Sequence, residues 1–550
     1  MSISSIKHED ADFVWWKHGV IYHIYPLSFC DANADGKGDL QGIINKIYYL
    51  NDLGITAIWL SPIYQSPQKD FGYDISNYYE IDPIYGRMAD FDALVAACHQ
   101  LNIRIIMDLV LNHTSDEHPW FIESKSSRDN EKRDWYIWSD GLRRKPVNNW
   151  QNAFGGSAWV YHRDSAAYYM HSFLKEQPDL NWRCEAMAQE FVHIIDFWLE
   201  KGVDGFRLDV INLVVKDKRL RSNPMFMFIP WFQTHVYNRN QRGAFKLIEQ
   251  LRKHIDTYDH RMLIGEIYVL PPGNTKMVMK YVNKKKKRLH LAFDFSLVFR
   301  PFNARIYYKY ANKWNKKGAK VEWASHVFSN HDLGRNINRI WFRRNKAEVA
   351  KLIALFQFTL KGTPFVYYGE EIGMRNVKIR KQELKDPLSK KLWPVYSGRD
   401  KCRTPMQWDE TPNAGFSMVQ PWLPIDKNFK KLCVEAQLKS DDSMLQHYKF
   451  LIALRNAQPA LNRGEWIPYI KGRDGILAYH RRHLNDEFLI IINFKAQQKL
   501  VILPNIIIYK VIYSTIDGAV DSICRNVILM RKSEGVILQP VFDFANYASE

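Results

Sequence analysis

RIIMDLVLNH (104–113) runs through a short apolar stretch and ends it on an acid, Asp108. Three other stretches repeat the pattern: GFRLDVIN (205–212) on Asp209, RMLIGEIY (261–268) on Glu266 and HVFSNHD (326–332) on Asp332. Short runs of β-branched and aromatic residues read as buried parallel strands. One carboxylate at the C-terminal end of a strand is an accident; several on different strands describe an active site at the mouth of a (β/α)₈ barrel.

Working outward, strand-like runs alternate with amphipathic segments, the sign of βα units. Eight runs are candidate barrel strands: 19–29, 57–63, 104–111, 205–210, 261–268, 289–295, 323–330 and 362–370. Helical segments such as EAMAQEFVHIIDFWLEKG end in Gly, which accepts the left-handed turn after a helix. From Asn112 to about Trp182 the spacing is far too long for a loop, so a small inserted domain is expected over the barrel mouth. After about residue 470 short strands follow without helices. The expected architecture is α/β: a barrel from 11–113 and 178–470, an inserted lid domain at 114–177, and a C-terminal antiparallel β domain at 471–550.

Composition narrows the classes. A hydrophobic fraction of 46% excludes a largely disordered or fibrous chain. The formal charge of +18 invites a nucleic-acid reading. The densest basic run, NKKKKR at 283–288, lies between barrel segments with no zinc-finger spacing, RNP motif or phosphate loop, so a solvated surface is expected and no nucleic-acid partner. No stretch reaches the roughly 18 uninterrupted apolar residues of a membrane span. The first 20 residues lack the apolar core of a signal peptide. The six cysteines are widely separated, without metal-ligand pairs, which fits reduced thiols and a cytoplasmic location.

In GFRLDVIN, period-two alternation puts Arg207 and Asp209 on one face, where a guanidinium holds a carboxylate ionised and aimed. That serves a nucleophile, and it equally serves a structural ion pair. Glu266 follows the apolar run RMLIG, and partial desolvation would raise its pKa as a general acid requires. His113 and His331 flank acids, but without HxH or HxxxH spacing they read as neutral donors to sugar hydroxyls rather than zinc ligands.

These residues resemble the α-amylase superfamily of glycoside hydrolases, in its α-glucosidase and oligo-1,6-glucosidase branch, from about Trp15 onward. DLVLNH, GFRLDVIN, GEIY and FSNHD look like its four conserved regions, QPDLNW (177–182) like a fifth, and GRDKCRTPMQWDETPNAGFS (398–417) like a segment of this branch. The resemblance implies Asp209 as nucleophile, Glu266 as acid and base, and Asp332 as the carboxylate binding ring hydroxyls. It places His113, Arg207 and His331 around the nonreducing glucose, with Tyr73 stacked beneath it. Asp70 in concert with Arg403 would close the pocket behind one sugar, which makes the enzyme exo-acting. Phe154, Phe173 and Gln177 fall where this branch lines its substrate entrance, though core packing is open for both phenylalanines.

The loop DANADGKGD spaces oxygen-bearing side chains alternately, with Gly36 for the turn. Position twelve is Gly42, so it is no EF-hand, and metal-free Asx turns are an alternative. The resemblance places a structural Ca²⁺ here, on Asp31, Asn33, Asp35, Lys37 and Asp39. No organic cofactor is expected.

The expected activity is a retaining α-glucosidase acting on small maltose- or isomaltose-type oligosaccharides, with oligomeric state left open. Val210, directly after the nucleophile, resembles the α-1,6-preferring members; GEIYVLPP and KDKRLRSNP look closer to maltose-acting ones. A sucrose isomerase, trehalose synthase or other transglucosylase shares these residues. A catalytically dead homologue, like the heavy chains of amino-acid transporters, would carry a membrane anchor and lack the carboxylates, neither of which fits.

Overall fold

The computed structural model describes residues 12–143, 145–226, 229–268, 274–316, 320–339, 346–394, 398–504, 507–518 and 520–541. Eight parallel strands form its centre: β1 (Ile21–Ile24), β2 (Ala57–Leu60), β3 (Arg104–Leu109), β4 (Gly205–Leu208), β5 (Met262–Glu266), β6 (Leu291–Phe293), β7 (Ser325–Val327) and β8 (Thr363–Tyr367). Each lies inside one of the eight expected runs. The sheet order is β6-β5-β4-β3-β2-β1-β8-β7. No ladder among the described residues joins β6 to β7, but Ser325 Oγ donates to Ala292 O at 2.7 Å across that seam.

Alternation along the strands stacks the lumen in layers. Ile21, Ala57, Ile106, Met262, Leu291 and Phe365 belong to one buried cluster with Trp59, Ile264 and Phe293. Trp15 and Trp16, on a short N-terminal helix, join its lower end; Trp15 Nε1 donates to His260 O at 2.8 Å just before β5. Two residues further along β3 and β4, Asp108 and Arg207 sit directly opposite each other in the ladder. The charged layer therefore rests on an apolar plug, which denies it water from below.

The outer helices form for the expected reason. In Glu185–Glu200, Met187, Phe191, Ile194, Ile195, Trp198 and Leu199 are buried, a helical-period stripe. Gly202, at φ +94°, supplies the left-handed turn after it.

The insertion carries a helix, Pro119–Ser126, and a three-stranded antiparallel sheet of Trp138–Ser139, Ala167–Met170 and Trp159–His162. A bridge between His113 and Asp179 closes its base. Buried Lys216 holds that base from below, with Nζ 2.8 Å from Asp179 Oδ2 and 2.7 Å from Asn112 Oδ1.

The C-terminal domain is a six-stranded antiparallel sheet plus a two-stranded pair. It begins earlier than the boundary expected at 471: Glu465–Lys471 pairs with Ile476–His483 and is its edge strand. Pro468 interrupts that run and makes it read as non-strand, yet proline is tolerated at an edge, where an N–H is not needed. Fully buried Arg455 docks the domain's neighbourhood to the barrel by donating to Phe358 O, Leu360 O and Gly362 O, the carbonyls at the end of helix Lys346–Thr359. The lysines of NKKKKR are exposed on the connection leading into β6, at the opposite end from the strand C-termini.

Candidate active site

All the acids that open the sequence argument converge at the C-terminal end of the barrel. A cavity of about 340 Å³ is lined there by Asp70, Tyr73, His113, Phe154, Phe173, Asp209, Val210, Glu266 and Asp332. Arg207, Gln177, His331 and Arg403 are fully buried behind that lining and hold it in place.

Arg207 is the hub. Its Nη1 lies 2.7 Å from Asp108 Oδ1 and 2.8 Å from Asp209 Oδ1, and its Nη2 bonds to Glu266 Oε2. One guanidinium thus fixes three carboxylates from three strands, a geometry that a rigid planar fork allows and an ammonium does not. Asp209 and Glu266 are thus held side by side on the two nitrogens of one guanidinium. Burial raises both carboxyls above the ordinary range and Arg207 opposes this; the charges of Glu266 and Asp108 raise Asp209 further, and that of Asp332 raises Glu266. Two acids so placed titrate as a pair. Burial also pushes Asp108 up to about 6, against the pull of Arg207.

Asp332 is tuned the other way. Burial would raise its pKa, but His331, Arg399 and Arg403 outweigh it and hold the carboxyl well below the ordinary value. Arg403 Nη2 is 2.8 Å from Asp332 Oδ1. The site therefore sets one carboxyl held well below the ordinary range beside a pair raised above it.

The closed end of the cavity is built from the DFGYD loop and the helical turn Asp400–Cys402 within the GRDKCR motif, which Arg399 and Arg403 flank. The partner of Asp70 there differs from the expectation. Asp70 Oδ1 is 2.6 Å from Arg399 Nη2, whereas Arg403 bonds to Asp332 and to His331 O. Arg399 also bonds to Asp386 at 2.8 Å and approaches Asp332 at 3.4 Å. Both arginines stand in GRDKCR; the one four residues earlier has the reach, because Arg403 is directed inward over the Tyr25 and Phe71 rings. Sequence reading missed Arg399 and Asp386, and the doubled arginine was the available signal.

Gln177 Nε2 donates to Asp70 Oδ2 at 3.3 Å and lies 3.1 Å from His113 Nε2, which explains the buried end of QPDLNW. Burial lowers His113 to about 4 and His331 to about 3, so both imidazoles are neutral at pH 7. Tyr73 stacks on His331 with centroids 5.4 Å apart, and its hydroxyl donates to Asp108 Oδ2 at 3.1 Å. Phe154 packs edge-on to Phe173 and against Arg399, so both rings serve the wall of the cavity rather than a core.

Val210 occupies a strained position. Its φ is +34°, a region that β-branched residues rarely adopt. The Val210 backbone beside the Glu266 carboxylate favours its charged form.

The chain belongs to the α-amylase family. The profile of the α-amylase catalytic domain matches residues 23–464, ending where the C-terminal sheet begins. A probable α-glucosidase of Rhizobium meliloti (strain 1021) is 39% identical over 518 residues, 91% of this chain and 93% of that protein. An oligo-1,6-glucosidase of Bacillus cereus is 37% identical, covering 92% of this chain and 97% of the relative. Among solved structures, the α-glucosyl transfer enzyme XgtA superposes with a TM-score of 0.89 at 34% identity, over 96% of this chain and all of the other. The trehalulose synthase MutB gives 0.87 at 30% identity over the same 96% of this chain and all of its own. The chain is thus similar both to hydrolases and to transfer enzymes of one family.

The loop after β1 is held by its own backbone. Asp31 accepts from the N–H groups of Asn33, Ala34 and Gly36 and from Ser417 Oγ at 2.6 Å. Asp39 accepts from Ala32, Asn33 and Gly42. Asn33 Oδ1 takes Asp35 N–H, and Asp35 Oδ1 takes Lys37 N–H. Among the described residues no three His, Cys, Asp or Glu side chains are placed to hold a metal ion. Asn33 Oδ1, Asp35 and Asp39 Oδ1 keep acceptor sites that a cation could take.

Proposed function

We propose that the protein is a retaining, exo-acting α-glucosidase that releases terminal glucose from small maltose- or isomaltose-type oligosaccharides. The observation that carries this is the Asp209–Glu266 pair: two carboxyl groups held on one guanidinium at the cavity wall, with a third carboxylate kept anionic beside them. Close carboxyl pairs suit the double-displacement route, in which a nucleophile forms a glycosyl-enzyme.

In the proposed reaction Asp209, ionised and aimed by Arg207, attacks the anomeric carbon. Glu266, protonated, gives its proton to the leaving oxygen, then takes a proton from water as the glycosyl ester is hydrolysed. Asp332 stabilises the positive charge that develops on the ring and binds its hydroxyls. Tyr73, His113 and His331 line the glucose, and the Asp70–Arg399 pair closes the cavity behind it. That closure supports removal of one sugar from a chain end rather than cleavage within a chain.

Transfer to a second sugar is the alternative favoured by one observation, the likeness to XgtA and MutB. Incubation with maltose, isomaltose and sucrose, with products followed by chromatography and anomer by proton NMR, tests the assignment. Release of α-glucose supports hydrolysis with retention; rearranged disaccharides in place of free glucose overturn it.

A structural Ca²⁺ in the loop after β1 rests on the family resemblance and on the spacing of Asp31, Asn33, Asp35, Lys37 and Asp39. A cytoplasmic location rests on six free cysteines. No helix among the described residues is long and apolar enough to cross a membrane.

A further inference from the structure

Arg207, Arg399 and Arg403 each meet carboxylates, but a fourth arginine on the cavity wall does not. Arg239 lines the cavity together with Glu266, Tyr268 and Asn274. Its Nε and Nη1 are buried and have no hydrogen-bond partner among the described residues. It faces an aromatic ring, with the guanidinium carbon 5.3 Å from the Tyr268 ring centre.

The unpaired group is held firmly. The Asn212 backbone carbonyl accepts from Asn240 N–H at 2.8 Å, fixing the residue next to Arg239. The Asn212 side chain donates to Tyr268 O at 2.9 Å and accepts from Tyr268 N at 3.0 Å. Asn212 therefore clamps the segment after β4 to the loop after β5, setting the guanidinium against its ring. Desolvation lowers Arg239 only to about 10, so it is charged at neutral pH.

A buried charge without partners is costly, and such donors persist where a ligand completes them. Position identifies the ligand. Asp70, His113 and Arg399 close the far end, whereas Arg239 and Tyr268 stand beside Glu266, the group that faces the departing oxygen. Tyr268 is 48% exposed, open enough to meet a sugar ring. Adjacent hydroxyls of a sugar present the paired acceptors that a guanidinium edge takes up.

We propose that Arg239, supported by Tyr268 and Asn212, is a specificity-determining residue that grips the leaving-group sugar through neighbouring hydroxyls. The inference rests on the α-glucosidase reading and deepens it by naming the residue that recognises the aglycone.

The test compares substrates with and without that sugar. Wild type, Arg239→Met and Arg239→Lys are assayed on maltose, isomaltose and α-D-glucosyl fluoride, whose leaving group is a single atom. The Met variant is expected to lose about tenfold or more in kcat/KM on at least one disaccharide and to keep fluoride turnover within about twofold, with Lys recovering part of the loss. Equal losses on disaccharide and fluoride overturn the proposal in favour of a structural role. Unchanged disaccharide turnover overturns it too. A wild-type enzyme that turns over none of the three overturns the α-glucosidase reading itself, and the inference with it.

Discussion

Arg399 Nη2 lies 2.6 Å from Asp70 Oδ1, joining side chains 329 residues apart in sequence. Both are nearly buried, with 12% and 5% of their side chains exposed. The pair seals the cavity where a longer chain would otherwise pass, so its integrity governs binding of the terminal sugar. Arg399→Ala leaves Asp70 and Asp386 without their cation; kcat/KM on disaccharides is expected to fall by about a hundredfold, with Arg399→Lys intermediate. Retention of wild-type kinetics in the Ala variant would show that the pair plays no part in binding.

Asp209→Asn is expected to abolish turnover while leaving the circular dichroism spectrum and cooperative melting intact, because an amide supplies no anionic nucleophile. Glu266→Gln is expected to be selective: activated glycosides still glycosylate the enzyme, since their departure needs little protonation. Pre-steady-state kinetics separate the steps, and an equal loss for activated and natural substrates in glycosylation would remove the acid role.

The shifts at the pair fix the form of the pH profile. The reactive form has Asp209 ionised and Glu266 protonated. Because Glu266 is raised, activity is lost only as pH climbs past a value above that of a free glutamic acid; because Asp209 is raised, activity falls on acidification before the ordinary carboxylate range is reached. Asp332, held well below that range, adds no limb. Asp332→Asn should therefore lower kcat and, because the Asp332 charge helps to raise both Asp209 and Glu266, move both limbs of kcat/KM toward lower pH, which titration from acid to base checks directly.

Val210→Ala removes a branched side chain from the cavity wall beside the nucleophile. The ratio of maltose to isomaltose efficiency is expected to move toward maltose by about tenfold, the scale of a methyl or two at a transition state. The strained φ of +34° is easier for Ala than for Val, so Tm should not fall by much. If both efficiencies drop together, Val210 acts only by packing beside the nucleophile.

For the loop after β1, excess chelator is expected to lower Tm more than activity, because an ion there ties the loop to the barrel without touching substrate. Elemental analysis should find Ca²⁺. An unchanged melting curve with no metal bound would leave the Asx turns of Asp31, Asn33 and Asp35 as the whole account of the loop.

The sequence by itself determined the barrel, because strand and helix periods are local: each of the eight runs carries its own alternation, and each observed strand lies within one. It also determined which acids stand at the mouth, since period-two spacing ties Arg207 to Asp209 and the apolar run to Glu266. Period could not locate the edge strand at Glu465–Lys471, where Pro468 breaks the local pattern and only sheet neighbours restore it. Nor could spacing choose between Arg399 and Arg403 as partner of Asp70, because a pair separated by 329 residues is decided by side-chain direction after the loops have packed. The charge states were likewise tertiary. Asp209, Glu266 and Asp332 are chemically similar carboxylic acids in the chain, and their divergence comes from burial and from which guanidinium each one meets.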